Sequence, residues 1–352
     1  MKEKLLIINK EQFGSLTDSY KWCYYLRNRY DITFLCFDSG REKMSIDGVV
    51  VKYISTKGTR ILRAIRFIIA GCMQILCSKS KVIVVYFENC HIFKILFPKT
   101  QMLMDIRTLA VLGSEGYRSE FNLGIKKSSM YFDHVSVIAE QVGDSLNLTG
   151  SNVHVLPLGS DVISDISKNY DRIKLLYVGT LNERNVAHTI RGLSDFISKN
   201  TSVDITYDIV GNGQELPMLE ELIKELNLSE VVTLHGRVPY DELKPFFDKC
   251  NVGISFIPMT DYYDNQPPTK IYEYALSGLY QIATSTKANL RLIDESNGIL
   301  IRDNSDDFSR ALSKLYSLRS QIDEKTIRNS LKHSTWKRIV DEDLNAILDK
   351  LK

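Results

Sequence analysis

Short β-branched and apolar runs alternate with longer stretches of helical spacing along the whole chain. In the first half, runs at Lys4–Ile8, Ile32–Phe37, Val49–Ile54, Val82–Phe87, Met102–Ile106 and Val135–Ala139 predict strands. In the second half the corresponding runs are Lys174–Val178, Asp204–Val210, Val231–Leu234, Val252–Ile257, Tyr280–Ala283 and Gly298–Ile301. Several, IKLLYV and VGISFI among them, are nearly continuous apolar runs without apolar–polar alternation, the pattern of strands buried on both faces in parallel sheets covered by helices. Two such series predict an α/β chain of two doubly wound, Rossmann-like domains. The break is expected near Ser160–Asp171, where Pro157, Gly159 and a polar stretch precede the next strong strand. That gives one domain over 1–160 and a second over 171–330. From Ser330 onward the chain reads as helix, with Trp336, Ile339, Val340, Leu344, Ile347 and Leu351 along one side. A helix over 331–352 that returns to complete the first domain suits this architecture.

Length and composition narrow the class. A chain of 352 residues suits two domains of about 100–200 residues each. A 44% hydrophobic and 25% charged composition is that of a soluble globular protein, and a net charge of +2 gives no footing for nucleic acid. The six cysteines form no Cys-x-x-Cys pair, which leaves zinc and thioredoxin chemistry without support and reads as reduced thiols of a cytoplasmic protein. The start, MKEKLLIINK, has too short an apolar run for a signal peptide and reads as a first buried strand. The longest apolar stretch, 61–77, is interrupted by Arg63, Arg66 and Gln74 and is no transmembrane span. Ile61, Leu62, Ile65, Ile68, Ile69, Met73 and Leu76 recur there at helical spacing, surrounded by Lys57, Arg60, Arg63, Arg66, Lys79 and Lys81. Two readings stand: a helix packed on a sheet, or a helix lying on an anionic bilayer.

The densest chemistry lies in NVGISFIPMTDYYDNQPPTKIYEYALSGLYQIAT, residues 251–284. A buried strand ends at Pro258, a polar loop follows, and a helix opens near Thr269. Loops at the carboxyl ends of parallel strands are where open α/β sheets bind ligands, and a helix N-terminus offers free N–H groups to phosphate. Lys270 adds a full charge there, and Glu273, one turn on, can accept two hydroxyl hydrogen bonds.

This segment resembles the donor-site signature of glycosyltransferase family 4 and its relatives, carried by Pro268-Thr269-Lys270-Ile271-Tyr272-Glu273-Tyr274 and the turn Ser277-Gly278-Leu279-Tyr280. The resemblance implies a GT-B fold, two Rossmann-like domains facing a cleft. It also implies transfer of a sugar from a nucleotide diphosphate to an acceptor hydroxyl, with retention of configuration. Glu273 would then hold the ribose hydroxyls. Asn265, followed by Gln266, stands where the family often has a second, sugar-contacting glutamate. In LLYVGTLNERNVAHTIRGL, residues 175–193, Gly179-Thr180 replaces the family's Gly-Arg, and Arg184 is the available cation for the diphosphate. In the third block, 207–226, Gly211 and Gly213 resemble the family's Val-Gly-x-Gly turn and would shape the cleft floor. Arg237 lies in the stretch 235–240 that would support the base.

The first domain is matched only loosely. Gly14 and Ser15 follow the first strand, where the family has a glycine-containing loop. Asp105 and Arg107 form an Asp-x-Arg after a buried strand. Asp105 either orients or deprotonates the acceptor hydroxyl or only pairs with Arg107. The expected catalytic set is thus Asp105, Arg184 and Lys270. No Asp-x-Asp pair follows a buried strand, so no metal is expected, and no cofactor beyond the nucleotide-sugar co-substrate. The style of the family suggests bacterial surface-polysaccharide synthesis, with a glycan or lipid-linked glycan acceptor at the inner face of the membrane. A sugar-nucleotide epimerase of the same architecture and a catalytically decayed partner subunit are the competing readings.

Overall fold

The computed structural model describes residues 2–78, 80–111 and 113–351. It divides into two compact units, Met1–Leu158 with Trp336–Lys352, and Gly159–Thr335. Both are parallel sheets flanked by helices, as unbroken apolar strands require.

The first unit holds strands β1 (Glu3–Ile8), β2 (Tyr30–Asp38), β3 (Val49–Ser55), β4 (Lys81–Val85), β5 (Met102–Ile106), β6 (His134–Val137) and β7 (Val153–Val155) in the order β3-β2-β1-β4-β5-β6-β7. Its helices are α1 (Thr17–Leu26), α2 (Arg60–Ser78), α3 (Ile92–Leu96), α4 (Glu115–Ser129) and α5 (Glu140–Ser145). The sequence pattern missed β7, a three-residue edge strand with no buried residue. Residues 336–350 are helical, with one π-helical turn at Ile339–Leu344. They lay Trp336, Ile339, Val340 and Leu344, none with exposed surface, into this unit beside α1.

The second unit holds β8 (Ile173–Val178), β9 (Ile205–Val210), β10 (Val232–Gly236), β11 (Val252–Ser255), β12 (Tyr280–Thr284) and β13 (Gly298–Ile301), ordered β10-β9-β8-β11-β12-β13. Its helices are α6 (Ala187–Lys199), α7 (Leu216–Glu225), α8 (Lys244–Lys249), α9 (Asp261–Asp264), α10 (Thr269–Leu276), α11 (Ser305–Leu318) and α12 (Glu324–Ser330). Strand order reverses between β8 and β11, and the crevice at such a reversal is where doubly wound sheets bind ligands.

The apolar stretch 61–77 is a helix, but not one whose apolar majority forms core. Inward it buries Phe67, Gly71 and Ile75, with the Phe67 ring between Phe37 and Phe87 at 4.5 and 5.7 Å. Ile61, Leu62, Ile65, Ile69, Met73 and Leu76 are exposed. Lys79 lies outside the described residues. Among those described, no helix is long and apolar enough to cross a membrane.

Candidate active site

The second unit's site is built on glycines that let two loops touch. The loop after β8 pairs with the loop after β9: Gly179 N–H donates to Val210 O and Leu181 N–H to Asn212 O, both at 3.0 Å. A β-carbon on Gly211 would lie 1.9 Å from the Gly179 oxygen, and one on Gly213 would lie 2.4 Å from the Leu181 carbonyl carbon. The two glycines of the Gly-x-Gly therefore pack backbone on backbone.

α10 is pinned to the same strand ends. Tyr274 has no exposed surface; its hydroxyl accepts the Val178 N–H at 2.9 Å, and its ring lies where a β-carbon on Gly253 would come within 2.3 Å. At the other end of the helix, Arg328 donates to Leu276 O at 2.7 Å, answering a carbonyl that the helix itself leaves free. At the start, Pro268 caps α10 without a side-chain hydrogen bond. The Ile271 N–H turns back to Pro268 O at 3.2 Å, and no side chain takes the N–H groups of Thr269 and Lys270 among the described residues.

Lys270 rises from that first turn and Glu273 from the next, and both are half-buried. The Lys270 ammonium stands 4.2 Å from the centroid of the Tyr177 ring, a cation–π contact. A β-carbon on Gly179 would come within 2.8 Å of the same nitrogen. Among the described residues, Lys270 has no hydrogen bond and no carboxylate at ion-pair distance, and Glu273 accepts no hydrogen bond. Burial pushes the Lys270 ammonium down to about 7, helped by the Arg184 charge and opposed by Glu273. Burial pushes the Glu273 carboxyl up to about 7, with Lys270 opposing. Each group is thus held short of its full charge by lack of solvent and partners. An anion beside Lys270 and hydroxyls beside Glu273 would supply them.

Arg184 approaches from the loop before α6. Its guanidinium donates to the Tyr263 hydroxyl and lies 4.5 Å from that ring's centroid. The loop is tight, with Glu183 and Asn185 both in the left-handed region at φ 53° and 54°. Glu215, just ahead of α7, holds it by accepting the N–H groups of Arg184, Asn185 and Val186 at 2.7, 3.2 and 3.3 Å. Sequence reasoning found Lys270, Glu273 and Arg184 and named Tyr274 in the signature without its anchoring role, but missed Tyr177, Tyr263 and Glu215. An acid at a helix start was the available signal for Glu215, yet its carboxylate serves the entrance to α6 instead.

The other expected residues fall around this centre. Thr180 is exposed, and its carbonyl accepts the Tyr177 hydroxyl at 2.7 Å. Asn265 is half-buried at the end of α9, Gln266 donates to Tyr262 O at 2.8 Å, and Thr269 is exposed. Arg237 is exposed. Its neighbour His235 pairs with buried Asp208 at 2.7 Å, as does Lys249.

In the first unit, Asp105 does not offer an open carboxylate at a strand end. It is fully buried, accepts from the Ser136 hydroxyl at 2.6 Å and lies 3.5 Å from Arg107. Burial pushes its carboxyl up to about 6, against the pull of Arg107 and Ser136. Arg107, itself buried, also pairs with Asp18 at 3.0 Å and donates to Leu156 O at 2.8 Å. Of the two readings of Asp105, the geometry is that of pairing: no acceptor hydroxyl can touch a carboxylate without exposed surface. Gly14, at φ 88°, lies under Met44, whose sulfur a β-carbon would meet at 2.2 Å, and Ser15 accepts from Arg41 at 3.1 Å.

The family model described as Glycosyl transferases group 1 matches residues 172–317, the span that carries every element of the site around Lys270. No curated protein sequence matches the chain. Among solved structures it is similar to sucrose-phosphate synthase from Thermosynechococcus elongatus, at 15% identity and a TM-score of 0.78, over 99% of each chain. It is also similar to HepE from Anabaena in complex with UDP and glucose, at 11% identity and a TM-score of 0.77, over 99% of this chain and 100% of that one. The lipopolysaccharide outer core galactosyltransferase WaaB matches at 14% identity and a TM-score of 0.70, again over 99% and 100%. The fold is therefore GT-B, and residues 172–317 are a glycosyl transferases group 1 domain. The second unit thus carries a domain that matches a family of glycosyl transferases.

Proposed function

We propose that this enzyme moves a sugar from a nucleoside-diphosphate donor, held at the carboxyl ends of β8 and β11, to a hydroxyl of a glycan or lipid-linked glycan. The observation that carries the reading is the pair Lys270 and Glu273, one helical turn apart and half-buried, the cation with no carboxylate at ion-pair distance and the carboxylate with no hydrogen-bond donor among the described residues. The diphosphate supplies the anion and the ribose supplies two hydroxyls. HepE in complex with UDP-glucose, a structure similar to this one, supports the choice of donor class.

In this reading Lys270, Arg184 and the open first turn of α10 face the leaving diphosphate. Its charge grows as the glycosidic bond breaks, so these groups stabilise the transition state more than the bound donor. Gly179, without a side chain, leaves room beside Lys270. Asn265 and Gln266 lie near the donor sugar, and Arg237 near the base. Retention of configuration rests on the family resemblance, and so does a place in bacterial surface-polysaccharide assembly at an anionic membrane surface. Asp105 acts with Arg107 to hold the first unit's strand ends and does not touch the acceptor.

A thermal-shift screen against nucleoside diphosphates and their sugars, paired with a donor-hydrolysis assay, tests this. A ligand that binds only the native state raises the apparent melting temperature. At least one nucleoside diphosphate should do so in the wild type and much less in Glu273→Ala, with slow hydrolysis of the matching donor. No shift with any of them would overturn the donor site, and release of an epimer would reassign the reaction.

A further inference from the structure

Six large apolar side chains of α2 point to solvent. Ile61 is 73% exposed and Leu76 70%, and Leu62, Ile65, Ile69 and Met73 lie between them. Their spacing of three and four residues makes one continuous stripe along a 19-residue helix, about 28 Å at 1.5 Å per residue. The adjoining α3, whose Phe93 ring fills the space over Gly71, exposes Ile95 and Leu96 as well. Soluble monomers rarely show contiguous apolar patches of this kind unless something covers them. The fold does not need the stripe, because Phe67, Gly71 and Ile75 hold the helix from the other side.

Charge decides what covers it. Residues 56–81 contain Lys57, Arg60, Arg63, Arg66, Lys79 and Lys81 and no acidic residue. Lys57 and Arg60 are exposed, Arg60 lying 3.3 Å from exposed Glu88, while Arg66 turns back to donate to Ser55 O and Lys57 O at 2.8 and 3.1 Å and Lys81 turns away to Glu3 at 3.4 Å. A second copy packed on this stripe by a two-fold axis would bring no acidic residue of 56–81 to meet these cations. An anionic lipid surface meets them with opposite charge, while long basic side chains beside an apolar stripe keep their heads at the phosphates.

We propose that α2 lies in the plane of an anionic bilayer. Ile61, Leu62, Ile65, Ile69 and Met73 insert among the upper acyl chains, and Lys57 and Arg60 sit at headgroup level. This deepens the membrane-side acceptor reading and rests on it for purpose. The seating is mainly apolar, so salt weakens it without abolishing it.

Vesicle flotation with the full chain tests the idea, using phosphatidylcholine liposomes of which about one third carry phosphatidylglycerol. Wild type should float at low salt and keep part of its binding at high salt. Ile65→Gln with Ile69→Gln should lower partitioning at least about tenfold at both salts, and Lys57→Gln with Arg60→Gln chiefly at low salt. Ile69→Trp should show blue-shifted emission quenched by brominated acyl chains. All these positions are exposed, so melting temperature and any shift induced by a nucleoside diphosphate should stay at wild-type values. That second readout separates failure here from failure of the donor site. The proposal is overturned if wild type stays in the dense fraction at low salt, or if the double glutamine variant floats like wild type. It is equally overturned if that variant only converts a dimer to a monomer.

Discussion

The carboxylate of Glu215 accepts the backbone N–H of Arg184 at 2.7 Å, and the same two oxygens take the next two N–H groups of the chain. This holds a loop with two left-handed non-glycine residues, and so sets where the Arg184 guanidinium lies. Hydrogen bonds to a charged group contribute about 1.5–3 kcal/mol each. The set of three is worth less than their sum here, because Glu215 and Arg184 are half-buried and Asn185 is exposed to water. Glu215→Ala should therefore weaken nucleoside-diphosphate binding about tenfold and lower the melting temperature by a few degrees, with Glu215→Gln in between. Titration calorimetry on the three proteins checks this. Wild-type affinity in Glu215→Ala would mean that the loop holds itself.

Among the described residues the Glu273 carboxylate makes no hydrogen bond, so its removal orphans none of them. Glu273→Ala should keep wild-type stability or gain slightly, because a half-buried carboxylate is lost. Donor affinity should fall at least about tenfold, or about 1.4 kcal/mol. Equal donor affinity and turnover in a folded variant would remove Glu273 from the ribose.

Protons should move with the diphosphate. Lys270, held at about 7 by burial and Arg184, is largely neutral in the free protein one unit above that value. A diphosphate beside it favours the charged form and raises its pKa, so binding near pH 8 should take up close to one proton. Affinity should then fall as pH rises through that range. Calorimetry in buffers of different ionisation enthalpy measures the uptake. Uptake that persists unchanged in Lys270→Met would assign it elsewhere.

Turnover should survive a divalent-metal chelator, since lysine, arginine and a helix N-terminus are proposed to meet the leaving charge. Loss of turnover in chelator, restored by a divalent cation, would require a different account of that charge.

Gly211 has no room for a side chain against the Gly179 carbonyl. Gly211→Ala should cost about 1–3 kcal/mol as overpacking, and a fall of several degrees in melting temperature. It should also displace Gly179 from Lys270. A variant as stable as wild type would mean that the two loops separate freely.

Alternation of apolar runs with helical spacing made the two sheets legible, because unbroken runs such as IKLLYV fit only strands covered on both faces. Lys270 and Glu273 were legible as a motif, since three residues on a helix return to the same side. Glu215 was not, because its partners are backbone groups of another loop, and no side-chain pattern encodes them. For α2 the difficulty was symmetry: apolar residues lie on both its faces, so periodicity found a helix without telling inside from outside. The aromatic contacts of Phe67 made that choice. Asp105 and Arg107 were legible as a pair, but their depth came from the register of β5 against β6, where Asp105 stands beside Ser136.

Trp336, Ile339, Val340 and Leu344 complete the unit that begins with β1, although residues 159–335 belong to the other. During synthesis domains usually fold in the order in which they emerge, but here the unit that begins first is completed last. The bed of four apolar side chains in the first unit stays uncovered until the second unit has been made. The second unit, contiguous in sequence, is free to fold earlier. A chain cut between residues 335 and 336 would thus carry a complete second unit beside a first one that lacks four core side chains, open to chaperones and proteases, and a nonsense mutation there would injure the half of the protein encoded first.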